Sequence, residues 1–251
     1  MKEIRIGKQT WSAGNLALTT DRDGNELVLG KDYFYPNGKE ELVEKYGLLY
    51  TWEAAMRVVP AGWHLPDNEE WQELAGYVES RWPDAPAKAL ASTEGWKESE
   101  KPNAVGSNPS ANNATGFSAV PAGSCYGSSF LDAGLSAHFW SSTESDSLDA
   151  WNRGLHYDNA GVGMGYSNKD FEFSVRCLRD EEPAAKEPAE PSEFDYCLIN
   201  VYNIDGEIYV AKSLDDAIGL CRSTRLPLHG KEISKIEVLY RDVYVGKEAG
   251  L

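Results

Sequence analysis

The chain has 251 residues, 41% hydrophobic and 25% charged, with a formal net charge of −16, the make-up of an ordinary water-soluble globular protein. Such an excess of carboxylates repels phosphate backbones and anionic lipid, which excludes nucleic acid as a partner. No apolar run is long enough to span a bilayer, which excludes direct membrane insertion.

The chain opens with short β-like pieces in "KEIRIGKQTWSAGNLAL". The turn-rich "DRDGNELVLGKDYFYPNG" follows, read as a hairpin or a long loop. Asp21, Asp23 and Asn25 resemble the start of a calcium loop, but the glycine is misplaced and the bidentate glutamate is missing, so a plain turn is expected. "EELVEKYGLLYTWEAAMRV", residues 40–58, has helical propensity and period. "PDNEEWQELAGYVESRW" predicts a second helix capped near Asp67, with Glu69 and Glu70 as its solvated start. From "ASTEGWKESEKPN" onward the pattern becomes loops and short strands rich in Gly, Ser, Asn and aromatics.

"DEEPAAKEPAEPSE", residues 180–193, is acidic, proline-rich and unable to bury a core, and reads as an extended linker. All eight tryptophans precede it. The domains are therefore expected over residues 1–179 and 194–251. In the tail, Asp205-Gly206 between alternating apolar runs marks a hairpin. Ser213 caps a short helical pattern, and "ISKIEVLYRDVYVG" supplies one or two more strands, a small ββαββ-like domain of no recognisable chemistry. A docking partner or an attachment role is expected for it.

Cys125, Cys177, Cys197 and Cys221 are scattered without a C-x-x-C pair, so reduced, packed thiols are expected, with no metal and no cofactor. His64 lacks a ligand partner at helical spacing and is expected to be a hydrogen-bonded structural residue. Phe139 and Trp140 of "FWSSTE" are expected in the core, with Ser141, Ser142 and Thr143 forming a turn. Arg176 is expected to pair with a carboxylate.

In order, "YGLLYTWEAAMRVVPAGWHLPDNEEWQEL", "GFSAVPAGS", "FWSSTES", "AWNRGL" and "FSVRCLRD" resemble the Fibrobacter succinogenes major paralogous domain family over roughly residues 2–180. The resemblance implies a C-type-lectin-like, formylglycine-generating-enzyme-like fold of α+β class, here with two helices and a loop-rich β region. Many members carry a cysteine before "PAGWHLP" that would bridge to the one in "SVRC". This chain has Val59 there, so Cys177 lacks that partner and the case for an oxidising compartment weakens.

For catalysis, the sequence holds no G-x-S-x-G elbow, P-loop or H-E-x-x-H helix. The related oxidase uses a cysteine pair, and neither Cys125 nor Cys177 stands in a matching motif. A noncatalytic protein is therefore expected, with an oxidase of the formylglycine-generating type as the alternative.

The segment 151–171 reads differently. Trp151, Arg153, Leu155 and Tyr157 form a fixed alternate set, and the residues between them point the other way. "NAGVGMGYSNKDF" then has the Tyr, Ser, Gly and Asn content of adaptable binding loops, with one valine to re-anchor it. The segment is similar to the diversified stretch in variable proteins of diversity-generating retroelements, where Asn codons yield Asn, Ser, Gly, Asp, Tyr, His and Phe. Asn152, Gly154, His156, Asn159, Gly161, Gly163, Gly165, Tyr166, Ser167, Asn168, Asp170 and Phe171 belong to that set; Met164, also taken as a site residue, does not follow from a plain Asn codon. A Gly-rich loop that merely closes the domain, on a structural surface domain without a diversified site, fits the same composition.

The resulting expectation is a loop-built site for a cell-surface protein or glycan. The setting would be a phage particle, a bacterial surface if an export signal was trimmed, or otherwise the cytoplasm.

Overall fold

The computed structural model describes residues 2–180 in full and, beyond them, the backbone of three strands. The chain divides into two compact units, residues 1–180 and 181–251. In the first, β1 (Glu3–Ile6) and β2 (Gln9–Ser12) form a hairpin, followed by β3 (Tyr33–Phe34), α1 (Val43–Tyr46), β4 (Leu49–Tyr50), α2 (Trp52–Val58) and β5 (Trp63–His64). Next come α3 (Asn68–Arg81), α4 (Pro86–Leu90), β6 (Ser124–Tyr126), β7 (Ser129–Leu131), β8 (Ser136–Glu144), β9 (Asp149–His156), β10 (Gly163–Asn168), β11 (Phe171–Glu172) and β12 (Leu178–Arg179). The strands make small sheets ordered β1-β2-β12-β5, β10-β9-β8, β11-β6-β7 and β3-β4. All their pairings are antiparallel, so the unit is of α+β class.

In the second unit, β13 (Tyr196–Ile204), β14 (Glu207–Ala211) and β15 (Ile236–Gly246) form a sheet ordered β14-β13-β15. Ile204 pairs with Glu207, the register of a hairpin with a two-residue connection, and the last segment is one strand. Of the linker expected over residues 180–193, all but Asp180 lies outside the described residues, as does the helix expected after Ser213.

Helix α3 forms where it was expected, for the expected reason. The Asp67 carboxylate accepts the Glu70 amide and the Glu70 carboxylate accepts the Asp67 amide, both at 2.8 Å, a reciprocal capping box. Trp71, Leu74, Ala75 and Val78 form its buried stripe. Glu70 is therefore more than a solvated helix start.

The helix expected over residues 40–58 is broken in two, and the reason is a tertiary contact. Gly47 takes φ +72°, where a Cβ would sit 2.6 Å from Asn15 Cβ and 2.7 Å from the Leu16 carbonyl oxygen. Asn15 Nδ2 donates to the Tyr46 carbonyl at 2.8 Å, and the Leu48 amide donates to the Leu16 carbonyl at 2.9 Å. The N-terminal segment thus takes over the hydrogen bonds that a continuous helix would have used, and β4 separates α1 from α2.

Two hydrophobic clusters flank β8. Phe139 enters one with Trp11, Trp71 and Phe117, while its neighbour Trp140 enters the other with Tyr50, Trp52, Phe173 and Val175. Ser141, Ser142 and Thr143 belong to β8 rather than to a turn, at a register irregularity that ends at Glu144. Thr143 Oγ1 accepts the Asn68 amide at 3.0 Å, a second oxygen at the start of α3. Val59 and Cys177 are fully buried in the same cluster.

Arg176 departs from expectation. It is 1% exposed and among the described residues pairs with no carboxylate. Its guanidinium donates to Asn15 Oδ1 at 2.7 Å and to the carbonyls of Ser12, Phe117 and Ser118 at 2.9, 2.8 and 3.1 Å. It also lies 4.3 Å from the Phe117 ring centroid. Burial pushes its pKa down to about 9, so it is still charged at neutral pH.

The unit closes where β12 enters between β2 and β5. There His64 bridges Glu70 and Asp180, each at 2.7 Å, the hydrogen-bonded role expected of it. The hydrogen bond to Glu70 outweighs the opposing effect of burial, and with Asp180 raises the His64 pKa to about 9. The Asp21 turn also forms as expected, its Oδ1 accepting the Asp23 and Asn25 amides.

Two outcomes are expected. Gly47→Ala destabilises the unit by about 3 kcal/mol in urea unfolding, since it combines a left-handed backbone with a backbone clash. His64 has a folded pKa above its ordinary 6.5, so its stabilisation is complete below pH 6.5 and is lost as pH rises through about 9. His64→Gln should therefore lower Tm at pH 6 and leave it nearly unchanged at pH 10.

Candidate functional site

Most of the segment 151–171, up to Asn168, builds an antiparallel hairpin of β9 and β10. β9 pairs centrally with β8, and β10 lies at the sheet edge. Gly163–Asn168, expected as loop, forms a strand in register Gly163↔Gly154, Gly165↔Asn152 and Tyr166↔Trp151. Its glycines erase the alternation by which a strand is recognised, and pairing with β9 supplies the order that its own sequence lacks.

The register sorts the candidate residues onto two faces. Asn152, Gly154 and His156 share one with Gly163, Gly165 and Ser167, and with Ser136 and His138 of β8. Trp151, Arg153, Leu155, Met164, Tyr166 and Asn168 take the other. There Leu155 joins the core and Arg153, 2% exposed, donates to the Asn68 carbonyl at 3.2 Å. Farther along, this second face opens to solvent: Met164 and Tyr166 are 55% and 61% exposed. The Tyr166 ring meets Trp151 edge-on at 5.8 Å.

On the first face lies a hollow of about 250 Å³, lined by Ser136, His138, Asn152, Gly154, Leu155, His156, Asn159, Gly161, Gly163, Met164 and Gly165. Asn152 is a wall rather than a surface group: it is 6% exposed and donates to Ser167 Oγ at 3.1 Å. His156, at the rim, hydrogen-bonds Asp158, which also pairs with Lys101 at 2.6 Å. Asp170 and Phe171 are not brought here. Asp170 lies in the turn after β10, and Phe171 pairs with Tyr126 in another sheet, their rings stacked at 4.5 Å.

The connection 157–162 is held by main-chain atoms. The Tyr157 amide donates to Leu135, and the carbonyls of Tyr157, Asn159 and Ala160 accept the amides of Gly106, Val105 and Ala87. Val162 packs against the first cluster, the re-anchoring expected of it.

Ser136 and His138 escaped the sequence reading. The signal was present in "LSAHFW": they alternate with the apolar Ala137 and Phe139, so they share the opposite face of one strand. Burial holds the His138 pKa below its ordinary value, and its ring stacks on Phe173 at 5.0 Å. Cys125 and Cys177 are both free and buried, in different clusters. Burial pushes each thiol up to about 12. Among the described residues no group of three His, Cys, Asp or Glu side chains could hold a metal ion, and no helix is long and apolar enough to cross a membrane.

These features define an α+β domain of antiparallel sheets that carries a glycine-lined hollow beside an exposed edge strand. The model of the Fibrobacter succinogenes major domain matches residues 4–179, and the chain belongs to that family. No curated protein and no solved structure matches the chain.

Asn152 and Tyr166 should separate sharply in urea unfolding. Asn152→Ala should cost about 1 kcal/mol, since it removes a buried hydrogen bond. Tyr166→Ala should stay within about 0.5 kcal/mol of the parent.

Proposed function

We propose that residues 1–180 form a noncatalytic ligand-binding module on a C-type-lectin-like scaffold. The β9–β10 hairpin is its binding surface, and a protein or glycan on a cell surface is its ligand. The observation that carries this reading is the pairing of an exposed Met164–Tyr166 edge with a hollow on the other face of the same two strands. Both rest on a framework of buried residues. Rigid support beneath an amphipathic, tyrosine-bearing surface lowers the ordering cost of binding.

The site is read as the diversified segment of a retroelement variable protein. In support, every candidate except Asp170 and Phe171 lies on β9, on β10 or in their connection. The setting proposed is a phage particle or a bacterial surface. The buried, separated thiols of Cys125 and Cys177, with pKa values far above neutrality, favour binding over oxidase chemistry, which needs an accessible thiolate. Attachment or partner docking is proposed for the tail unit.

The test is capture of the fluorescently labelled chain by a panel of gut bacterial cells. Saturable capture is expected, weakened at least tenfold by Tyr166→Ala with Tm shifted by no more than about 2 °C. Equal capture by the variant, or none by the parent, would overturn the reading. For diversification, the expected companion is a template repeat beside a reverse transcriptase gene, differing from codons 152–171 at adenines. Invariance of those codons among copies would leave a fixed site.

A further inference from the structure

We propose that the hollow on the first face of β8–β10 is a built subsite for one neutral sugar ring, whose hydroxyl groups are met by His138 and Ser136. The inference rests on the ligand-binding reading of the hairpin and names the chemistry of one part of it.

Two independent observations converge on the hollow. The first is its polar lining. Ser136 is only 2% exposed, and among the described residues neither its Oγ nor His138 Nδ1 has a hydrogen-bond partner. A buried polar atom left without a partner costs stability, so such atoms are few and ask for an explanation. Both residues line the same hollow, two positions apart on β8 and therefore on one face.

The second observation is the glycines. Gly154, Gly161, Gly163 and Gly165 all border the hollow, and none adopts the left-handed backbone that favours glycine. What they contribute is the lack of a side chain. A Cβ on Gly154 would stand 3.3 Å from His138 Nδ1, and one on Gly165 would stand 3.7 Å from Asn152 Oδ1. The four glycines thus leave the hollow unfilled beside His138 and Asn152.

The lining selects the ligand class. It contains no carboxylate to hold a cation. An anion would meet a neutral imidazole, with Asp158 at the rim behind His156 and a chain of net charge −16. A neutral imidazole offers either a lone pair or an N–H, and a serine hydroxyl both donates and accepts, so the matching group is one that also does both: a hydroxyl. At about 250 Å³ the space lies just below the range of drug-sized pockets, which suits a single pyranose.

The test uses the full chain, with methyl pyranosides of glucose, galactose, mannose and N-acetylglucosamine as probes. Binding is followed by the ring resonances of His138 in histidine-labelled protein and by Tm. At least one glycoside should shift those resonances saturably, with a Kd on the order of 1 mM. Ser136→Ala should weaken that binding at least tenfold while its own Tm equals or exceeds the parent's. Gly154→Ser, which sets a hydroxyl beside His138 Nδ1, should raise Tm and abolish the glycoside response. The inference is overturned if no glycoside moves the His138 ring, or if the two variants respond like the parent. It is equally overturned if Ser136→Ala lowers Tm by several degrees, since Oγ would then already be satisfied. Cells captured undiminished by Ser136→Ala would sink the sugar subsite alone, whereas cells captured undiminished by Tyr166→Ala would sink the broader reading.

Discussion

The interaction on which the first unit depends is the burial of one guanidinium against main-chain oxygen. Arg176 holds the carbonyls of Ser12, Phe117 and Ser118 together with Asn15 Oδ1. Two stretches of chain far apart in sequence, Ser12–Asn15 and Phe117–Ser118, therefore converge on one plane of donors supplied by a third. A buried charge without a counter-ion is costly, and the offset comes from four oriented dipoles and from the face of Phe117, whose ring quadrupole attracts the cation. Asn15 carries the effect onward: its amide nitrogen reaches the Tyr46 carbonyl and Ser174 Oγ. The break at Gly47 and the meeting of the first unit's opening and closing segments are thus one arrangement, centred on Arg176.

β8 turns that arrangement into a platform. Successive residues of a strand face opposite ways, so Phe139 and Trp140 place one strand in two cores. The sheet is gripped from both sides along the middle of β8, and only toward the Ser136 end does its first face come free. The hollow opens where the second cluster stops, with His138 stacked on Phe173 at the boundary. A site on paired strands with locked neighbours is held more precisely than one on a free loop.

Legibility followed the range of the interaction responsible. Asp67 and Glu70 stand three residues apart, so α3 and its cap could be read locally, as could the Asp21 turn and the order of motifs that marks the family. The break at Gly47 could not, because Asn15 and Leu16 cause it from thirty residues away. The partners of Arg176 are hidden for a related reason: they are mostly backbone carbonyls, which carry no side-chain signature. β10 was hidden by Gly163 and Gly165, which remove the apolar alternation that a strand displays. Asn152 lies on the face that the alternation predicts, but its burial depends on strand pairing, which is invisible in a segment read by itself.

The connection between β9 and β10 is fastened through the amides and carbonyls of Tyr157, Asn159 and Ala160, atoms that every residue type but proline supplies in full. A fastening of that kind does not register which side chains it carries. The exposed side chains of Met164 and Tyr166 take no part in it, whereas Arg176 and Trp140 are buried in the framework beneath. In the proposed binding role, recognition would draw on outward side chains and folding on main-chain atoms and the buried framework, two separate sets of atoms.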